Sequence, residues 1–411
     1  METIFGLPAN TLLTVLLALS GLILLIIVAA ALRFPLAFRL GLRNLPRRKS
    51  QTALIITGLA LSTMIITSAL GIGDTVDYSV KSGVYDSLGA IDQQIGTTRI
   101  EAAAGFGFGS GAPTTGGEGE NWFSADLASA VAGLVDDQTF DAAVPALVQS
   151  LPVVNTTSEL SEAAVQIRGL GQGSGAGFAR LPGFDTLSDG QVLVNQTLAT
   201  ELEINPGDEL LLIKGQPSPV TVAGIVPDGE LAGGQPAVIT PLAWAQDFFA
   251  RPAQITAIFI SNLGDAETGA ALSETAVAEL ESLLVTEGAD LVVSPVKADQ
   301  LEAAATSAET ITALFVTFGT FSIVSGILLI FLIFSVLAAE RKSELGMSRA
   351  IGLQRADLIS QFITEGLAYN LLAAAAGAAL GVVAALLLAS SITQLLQGSL
   401  EITPRIAPRS I

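Results

Sequence analysis

Four apolar segments without a single charged residue interrupt the 411-residue chain: Thr11 to Leu32, Gln51 to Ile72, Ile311 to Ala339 and Gly366 to Ser390. Each holds 20 or more residues, and a hydrocarbon core about 30 Å thick is crossed by roughly 20 residues in helix. Lipid offers no partner for a backbone N–H or C=O, so such segments must satisfy those groups internally as helices. The pattern therefore predicts four transmembrane helices. Between the second and third the pattern shortens. Ala164 to Arg168, Gln191 to Val194, Glu209 to Ile213, Val220 to Val226, Ala237 to Ile239 and Ile255 to Ser261 read as strands, separated by breakers such as Asn205-Pro206-Gly207-Asp208 and Pro227-Asp228-Gly229. Helix is expected from Asp74 to Leu88 as a continuation of the second span, from Ser124 to Val135 and from Ala266 to Val285; Ile91 to Arg99 and Asp290 to Val296 read as extended. Ala102 to Glu120 is rich in Gly, Ala, Ser and Thr and reads as a loop.

The predicted fold is a multi-pass α-helical membrane protein with a large α+β extracytoplasmic domain inserted between the second and third transmembrane helices. The expected divisions are a helix at 1–32, a basic segment at 33–50, a helix at 51–73, the inserted domain at 74–308 with its β-rich part near 164–262, a helix at 309–339, a connection at 340–358, a helix at 360–392 and a tail at 393–411.

Charge sets the orientation. The connection after the first span holds Arg33, Arg39, Arg43, Arg47, Arg48 and Lys49 without an acid, and the connection after the third holds Arg341, Lys342, Arg349 and Arg355 against Glu340, Glu344 and Asp357. Positive charge in short loops marks the cytoplasmic side. The N-terminus, the inserted domain and the tail are then outside. From Asp74 to Glu302 there are 31 acids against 7 bases, so that stretch carries −24 of a chain whose formal net charge is −19. No basic patch is left for nucleic acid. Pro35 and Pro46 bracket leucines and arginines at roughly helical spacing, which suits a piece lying in the membrane interface or an ordinary basic loop equally well.

Cysteine and histidine are both absent, which removes disulfide scaffolds, Cys/His zinc sites, Ser-His-Asp triads and Cys-His pairs. No catalytic, cofactor-binding or metal-ligating constellation stands out. None of the 41 glycines belongs to a G-x-x-x-x-G-K-[ST] string, so ATP hydrolysis is not expected here. The glycines of Gly169 to Gly177 lack a dinucleotide-binding context and read as a connector. The sequons Asn155-Thr156-Thr157 and Asn195-Gln196-Thr197 are expected to face outward. The first span is too long for a signal-peptide core, and its basic cluster follows it, so a retained helix is expected. Gly377 and Gly381 form a small-xxx-small face for close helix packing. Glu365 is expected at the membrane interface, where it can pair with Arg349 or Arg355.

Ala338 to Leu358 reads A-A-E-R-K-S-E-L-G-M-S-R-A-I-G-L-Q-R-A-D-L. Glu340-Arg341, Glu344-Leu345-Gly346, Arg349-Ala350-Ile351-Gly352 and then Glu365-Gly366 resemble the connection between the second and third core helices of the FtsX-like, or MacB-like, family of ABC transporter permeases. Leu42-Arg43-Asn44-Leu45, Arg47-Arg48-Lys49 and Leu54 to Gly58 are similar to that family's approach to its first core helix. Val192-Leu193-Val194-Asn195, Leu198-Ala199, Pro206-Gly207-Asp208 and Val220 to Val226 resemble its extracytoplasmic domain.

The resemblance implies a bacterial cell-membrane permease subunit without ATPase activity of its own, partnered by a cytoplasmic ABC ATPase and pairing as a homo- or heterodimer or with a second permease half. It places the ATPase-coupling segment at Glu340, Arg341, Glu344, Leu345, Gly346, Arg349, Ala350, Ile351 and Gly352. It implies no cofactor, and work on lipidated or amphiphilic substrates, with control of cell-wall hydrolases as the alternative. An anchored receptor or adhesion module, or an enzyme using Asp/Glu or Ser/Lys chemistry, would share the outer domain but needs no coupling string. The family pattern has a further helix after Ser390 and no leading helix at Thr11 to Leu32, so this chain is expected to be the front portion of a longer permease.

Overall fold

The computed structural model describes residues 49–99, 121–135, 139–175, 177–340, 342–350, 352 and 355–395, with a few positions before residue 19. The first predicted span is outside the described residues except for Thr14 and Ala18; the basic connection 33–48, the whole Ala102 to Glu120 stretch and the tail from residue 396 are outside as well. Two compact units result, a helical one within 1–78 and 309–397 and a strand-rich one within 79–308.

Helix α1 (Lys49–Leu88) is unbroken over 40 residues, carrying the second apolar segment and continuing through Asp74 to Leu88 as expected. Gly89 stops it, adopting φ +51° while its N–H bonds the Tyr85 carbonyl at 2.8 Å. That left-handed C-cap is inexpensive only for glycine. There follow β1 (Gln93–Gly96), α2 (Asp126–Ala132), β2 (Phe140–Asn155), β3 (Ser161–Leu170), β4 (Gln191–Asn195), α3 (Gln196–Glu201), β5 (Glu209–Lys214), β6 (Gln216–Val226), β7 (Ala237–Pro241), α4 (Leu242–Phe249), β8 (Ala257–Asn262), α5 (Ser273–Glu287) and β9 (Val292–Ser294).

These strands form one sheet in the order β9, β1, β8, β2, β3, β7, β4, β6, β5, and β5 turns back to pair with β2. Strands β2, β3, β7, β4, β6 and β5 thereby close a ring, while β8, β1 and β9 extend from the other part of β2. The first part of β2, Phe140 to Ala146, pairs with β8; from Ala146 onward it pairs with β3 and, at Val153 to Asn155, with β5. No strand was legible over these 16 residues because Pro145 and Pro152 look like breakers. In the fold the register slips between Leu151 and Val153, at Pro152; a bulge is where a sheet accepts a residue without an N–H.

Inside the ring, Leu147, Val153, Ile167, Val192, Val194, Leu210, Leu212 and Val222 share one core with Leu198 of α3 and Ala245 and Phe249 of α4. Helices α2 and α5 cover the remaining strands, packing Val131, Ala276, Leu280 and Leu284 on Ile95, Ile258, Ile260 and Val293. Each fully buried Leu, Ile or Val contributes about 1.5–3 kcal/mol. Gly169 and Gly171, expected in a connector, instead serve packing: Gly169 lies in β3 against Ala245, and a Cβ on Gly171 would stand 2.6 Å from Pro145. Both sequon asparagines are fully buried within the domain.

In the helical unit, α6 (Val296–Glu340) runs 45 residues from the strand-rich unit without interruption, followed by α7 (Lys342–Ala350) and α8 (Arg355–Leu395). Among the described residues Ile363–Leu388 is long and apolar enough to cross a membrane, and Thr52–Ser68 and Val324–Glu340 are shorter apolar stretches.

Candidate functional site

Three places in the chain are built for holding or presenting something. The first is α7, between the long helices α6 and α8. Glu340 is the last residue of α6 and exposed; Glu344, Leu345, Gly346, Arg349 and Ala350 all fall on α7, where Gly346, Met347, Arg349 and Ala350 are exposed. Gly352 follows in a turn with φ +102°, its N–H on the Arg349 carbonyl at 3.1 Å, a conformation that stops the helix and that a side chain disfavours. Arg341 and Ile351 lie outside the described residues. Met347 is 61% exposed.

The second place is the seam between α8 and α1. A Cβ on Gly377 would stand 2.5 Å from the Ala60 carbonyl oxygen and 2.6 Å from the Thr63 Cβ, and one on Gly381 2.7 Å from the Thr67 Cβ. The sequence-predicted packing pair therefore brings two backbones together as small-xxx-small spacing allows. Ile55, Leu59, Ala60, Tyr369 and Ala373 form the local core. Against α6, Ser62 donates to the Ser322 carbonyl at 3.1 Å, and Gly326 leaves no room beyond the Ser62 hydroxyl, 2.6 Å from where its Cβ would be. Glu365 is 1% exposed and accepts the Tyr369 hydroxyl at 2.8 Å. On their outer sides Phe321, Ile327, Phe331, Leu371 and Leu387 are exposed, an apolar area that water does not favour.

The third is the base of the strand-rich unit, where the last turns of α1 and the first of α6 meet strands. The loop Gly229–Gly233 lies on the end of α1, with Gly229 (φ +101°) directly against the Asp86 carbonyl and Glu230 filling the space beside Gly89. Arg168 of β3, 2% exposed, holds that loop by donating to the carbonyls of Glu230 and Leu231 at 3.1 and 2.8 Å, and lies over the Phe259 ring. Burial pushes its guanidinium down to about 10, still charged at neutral pH. Glu230 accepts the Ala179 N–H at 2.7 Å, and burial raises its carboxyl above the usual range. Asn195, a residue of the Val192-Leu193-Val194-Asn195 string, has no exposed surface and makes four hydrogen bonds. Its Nδ2 donates to the carbonyls of Gly233 and Gln235, and its Oδ1 accepts the N–H groups of Leu198 and Ala237.

Sequence reasoning marked the coupling residues and the glycine seam but passed over Arg168, Glu230, Asp92 and Lys297. Arg168 and Lys297 are two of only 7 bases among 31 acids in that stretch, but their burial is not marked in the sequence. Among the described residues no group of three or more acidic side chains is placed to hold a metal ion.

Residues 52–283 match the sequence profile of the MacB-like periplasmic core domain. The chain belongs to the FtsX-like and MacB-like permease family. A second match, to the FtsX-like permease C-terminal region, covers residues 316–410 and so takes in most of α6 with α7 and α8. Permeases of this family are ABC transporter components of the membrane, bear a periplasmic domain and work with a cytoplasmic ABC ATPase. Among solved structures, the periplasmic region of MacB from Actinobacillus actinomycetemcomitans is similar at 15% identity and a TM-score of 0.31, over 50% of this chain and 88% of that one. No curated protein sequence matches the chain. In this FtsX/MacB-type permease the periplasmic-core match runs from α1 through most of α5, and the permease match contains the α7 string.

Proposed function

We propose that the chain is the multi-pass, non-catalytic permease subunit of an ABC transporter, turning the closure of a separate cytoplasmic ATPase into movement of an extracytoplasmic strand-rich unit. The work is export or extraction of lipidated or amphiphilic substrates. Four spans are assigned, with the short basic connections inside and the acidic 74–308 stretch outside. The observation that carries this reading is α6: a single helix of 45 residues, free of proline, whose first turns belong to the strand-rich unit and whose last residue adjoins α7. A continuous helix without proline lacks the commonest site of bending, so displacement along its axis can be carried from one end to the other.

In this reading α7 is the surface on the ATPase. Its exposed Met347 and Ala350 insert, while Arg349 and Glu340 at its margins select the partner by charge. Its helix is closed by the Gly352 turn, so motion of a docked partner is passed on rather than absorbed by a frayed end. The seam of Gly377 and Gly381 holds α8 against α1. The testing experiment is affinity capture of the full-length membrane protein, with and without the Glu340 to Gly352 segment, from cells producing it natively. A P-loop ATPase is expected with the intact chain and absent without the segment. Capture of the same ATPase in both cases, or of none with the intact chain, would overturn the assignment.

A further inference from the structure

Lys297 is the second residue of α6, and its side chain has no exposed surface. Its Nζ lies 2.8 Å from Oδ1 of Asp92, whose side chain is 1% exposed. Asp92 follows the end of α1 by four residues and immediately precedes β1. It is held on three further sides: its N–H donates to the Ile260 carbonyl at 2.9 Å, its carbonyl accepts the Lys297 N–H at 3.3 Å, and its Oδ2 accepts the Asn262 N–H at 2.8 Å. Gly269 makes room for that carboxylate, since a Cβ there would stand 2.6 Å from Oδ2. One residue thus touches the chain leaving α1, the end of β8 and the first turn of α6.

Stability does not account for this arrangement. Taking two charges out of water is costly, and uncharged residues of similar size in place of a buried pair are commonly neutral or stabilising. Burial does raise the Asp92 carboxyl, with Lys297 pulling it back and Asp141 adding to the rise. What a buried charge pair supplies and an apolar contact lacks is a specific partner, since each charge is costly away from the other. We infer that Asp92 and Lys297 are positioning residues that clamp the first turn of α6 and the end of α1 to the sheet, so that both helix ends and the sheet move as one body. The inference takes its meaning from the proposed function, yet its physical content is independent of any ATPase.

The test uses the full-length chain in lipid nanodiscs with spin labels at two introduced cysteines, Glu302→Cys on exposed α6 and Val285→Cys on α5, where the side chain is 81% exposed. The natural sequence has no cysteine, so these are the only labelling points. With the clamp present, one narrow distance distribution is expected. In Asp92→Asn/Lys297→Met the distribution should broaden by at least about twofold while the melting temperature is unchanged or higher, and the single change Lys297→Arg, which keeps a cation opposite Asp92, should leave it narrow. An unchanged distribution overturns the inference, as does broadening that only follows a lowered melting temperature. Because no ATPase is present, a failed capture in the earlier experiment leaves this result readable, and the converse holds.

Discussion

Gly377 on α8 faces Ala60 on α1 so closely that a Cβ at 377 would stand 2.5 Å from the Ala60 carbonyl oxygen. Backbone cannot yield as a long side chain can. Gly377→Leu is therefore expected to destabilise the helical unit by about 1–3 kcal/mol, the usual range for overpacking, read as a lower melting temperature in detergent. Gly83→Ala is the control: it is also in a helix, but nothing lies within 4 Å of its added Cβ. That change should be neutral or stabilising by about 0.5–1 kcal/mol.

Asn195 offers a second test. Removing its side chain with Asn195→Ala uncaps α3 and leaves the Ala237 N–H and the Gly233 and Gln235 carbonyls without their partner. Each buried polar group left unmatched costs about 1–3 kcal/mol, so a loss of roughly 3 kcal/mol or more is expected in denaturant unfolding. Its burial also predicts that an expression host with N-glycosylation will leave this sequon unmodified in the folded protein, as mass spectrometry would show.

For Glu230 the expected effect is on pH dependence. Burial raises its folded-state pKa above 4.5, the backbone N–H groups of Ala179 and Ala90 and the charge of Lys297 opposing the rise. The folded chain then binds more protons than the unfolded one in the interval above 4.5, so this group's penalty is full at neutral pH and is relieved as pH falls through the raised value. Glu230→Gln should raise the melting temperature at pH 7 and reduce the gain seen on acidifying to pH 5. An identical pH profile in the two proteins would refute this.

Met347→Asp should lower recovery of the partner ATPase about tenfold, the effect of roughly 1.4 kcal/mol at an interface, with no change in melting temperature, since 61% of the residue is already in water. A loss of stability instead would place Met347 in packing.

Long-period features were readable in the residues, and features made by distant partners were not. Helix α1 could be followed to Leu88 because nothing between the apolar span and Leu88 breaks a helix. The seam glycines showed in a pattern of four residues. By contrast β2 looks broken by Pro145 and Pro152, and its continuity depends on β8, β3 and β5 supplying pairs on either side. Arg168 and Glu230 are 62 residues apart, and Lys297 and Asp92 are farther still; nothing local marks such pairs. The resemblance string Val192 to Asn195 was visible, but its reason, four hydrogen bonds from one buried amide, is tertiary. For Glu365 the end of the apolar run was legible, but its burial beside the Tyr369 hydroxyl was not.

The closed ring has a consequence for assembly. A ring of strands has no free edge, so another chain cannot be recruited by adding a strand to it. Any subunit or substrate that binds this part of the molecule must be recognised by side chains and loops. Among the described residues, the sheet's other margin ends in β9, only three residues long and continuous through Pro295 with α6. A chain interrupted before Glu209 would lack β5 and β6 and leave β2 and β4 open to neighbouring molecules. Self-association of incomplete copies is thus a hazard that the finished domain removes by its topology alone.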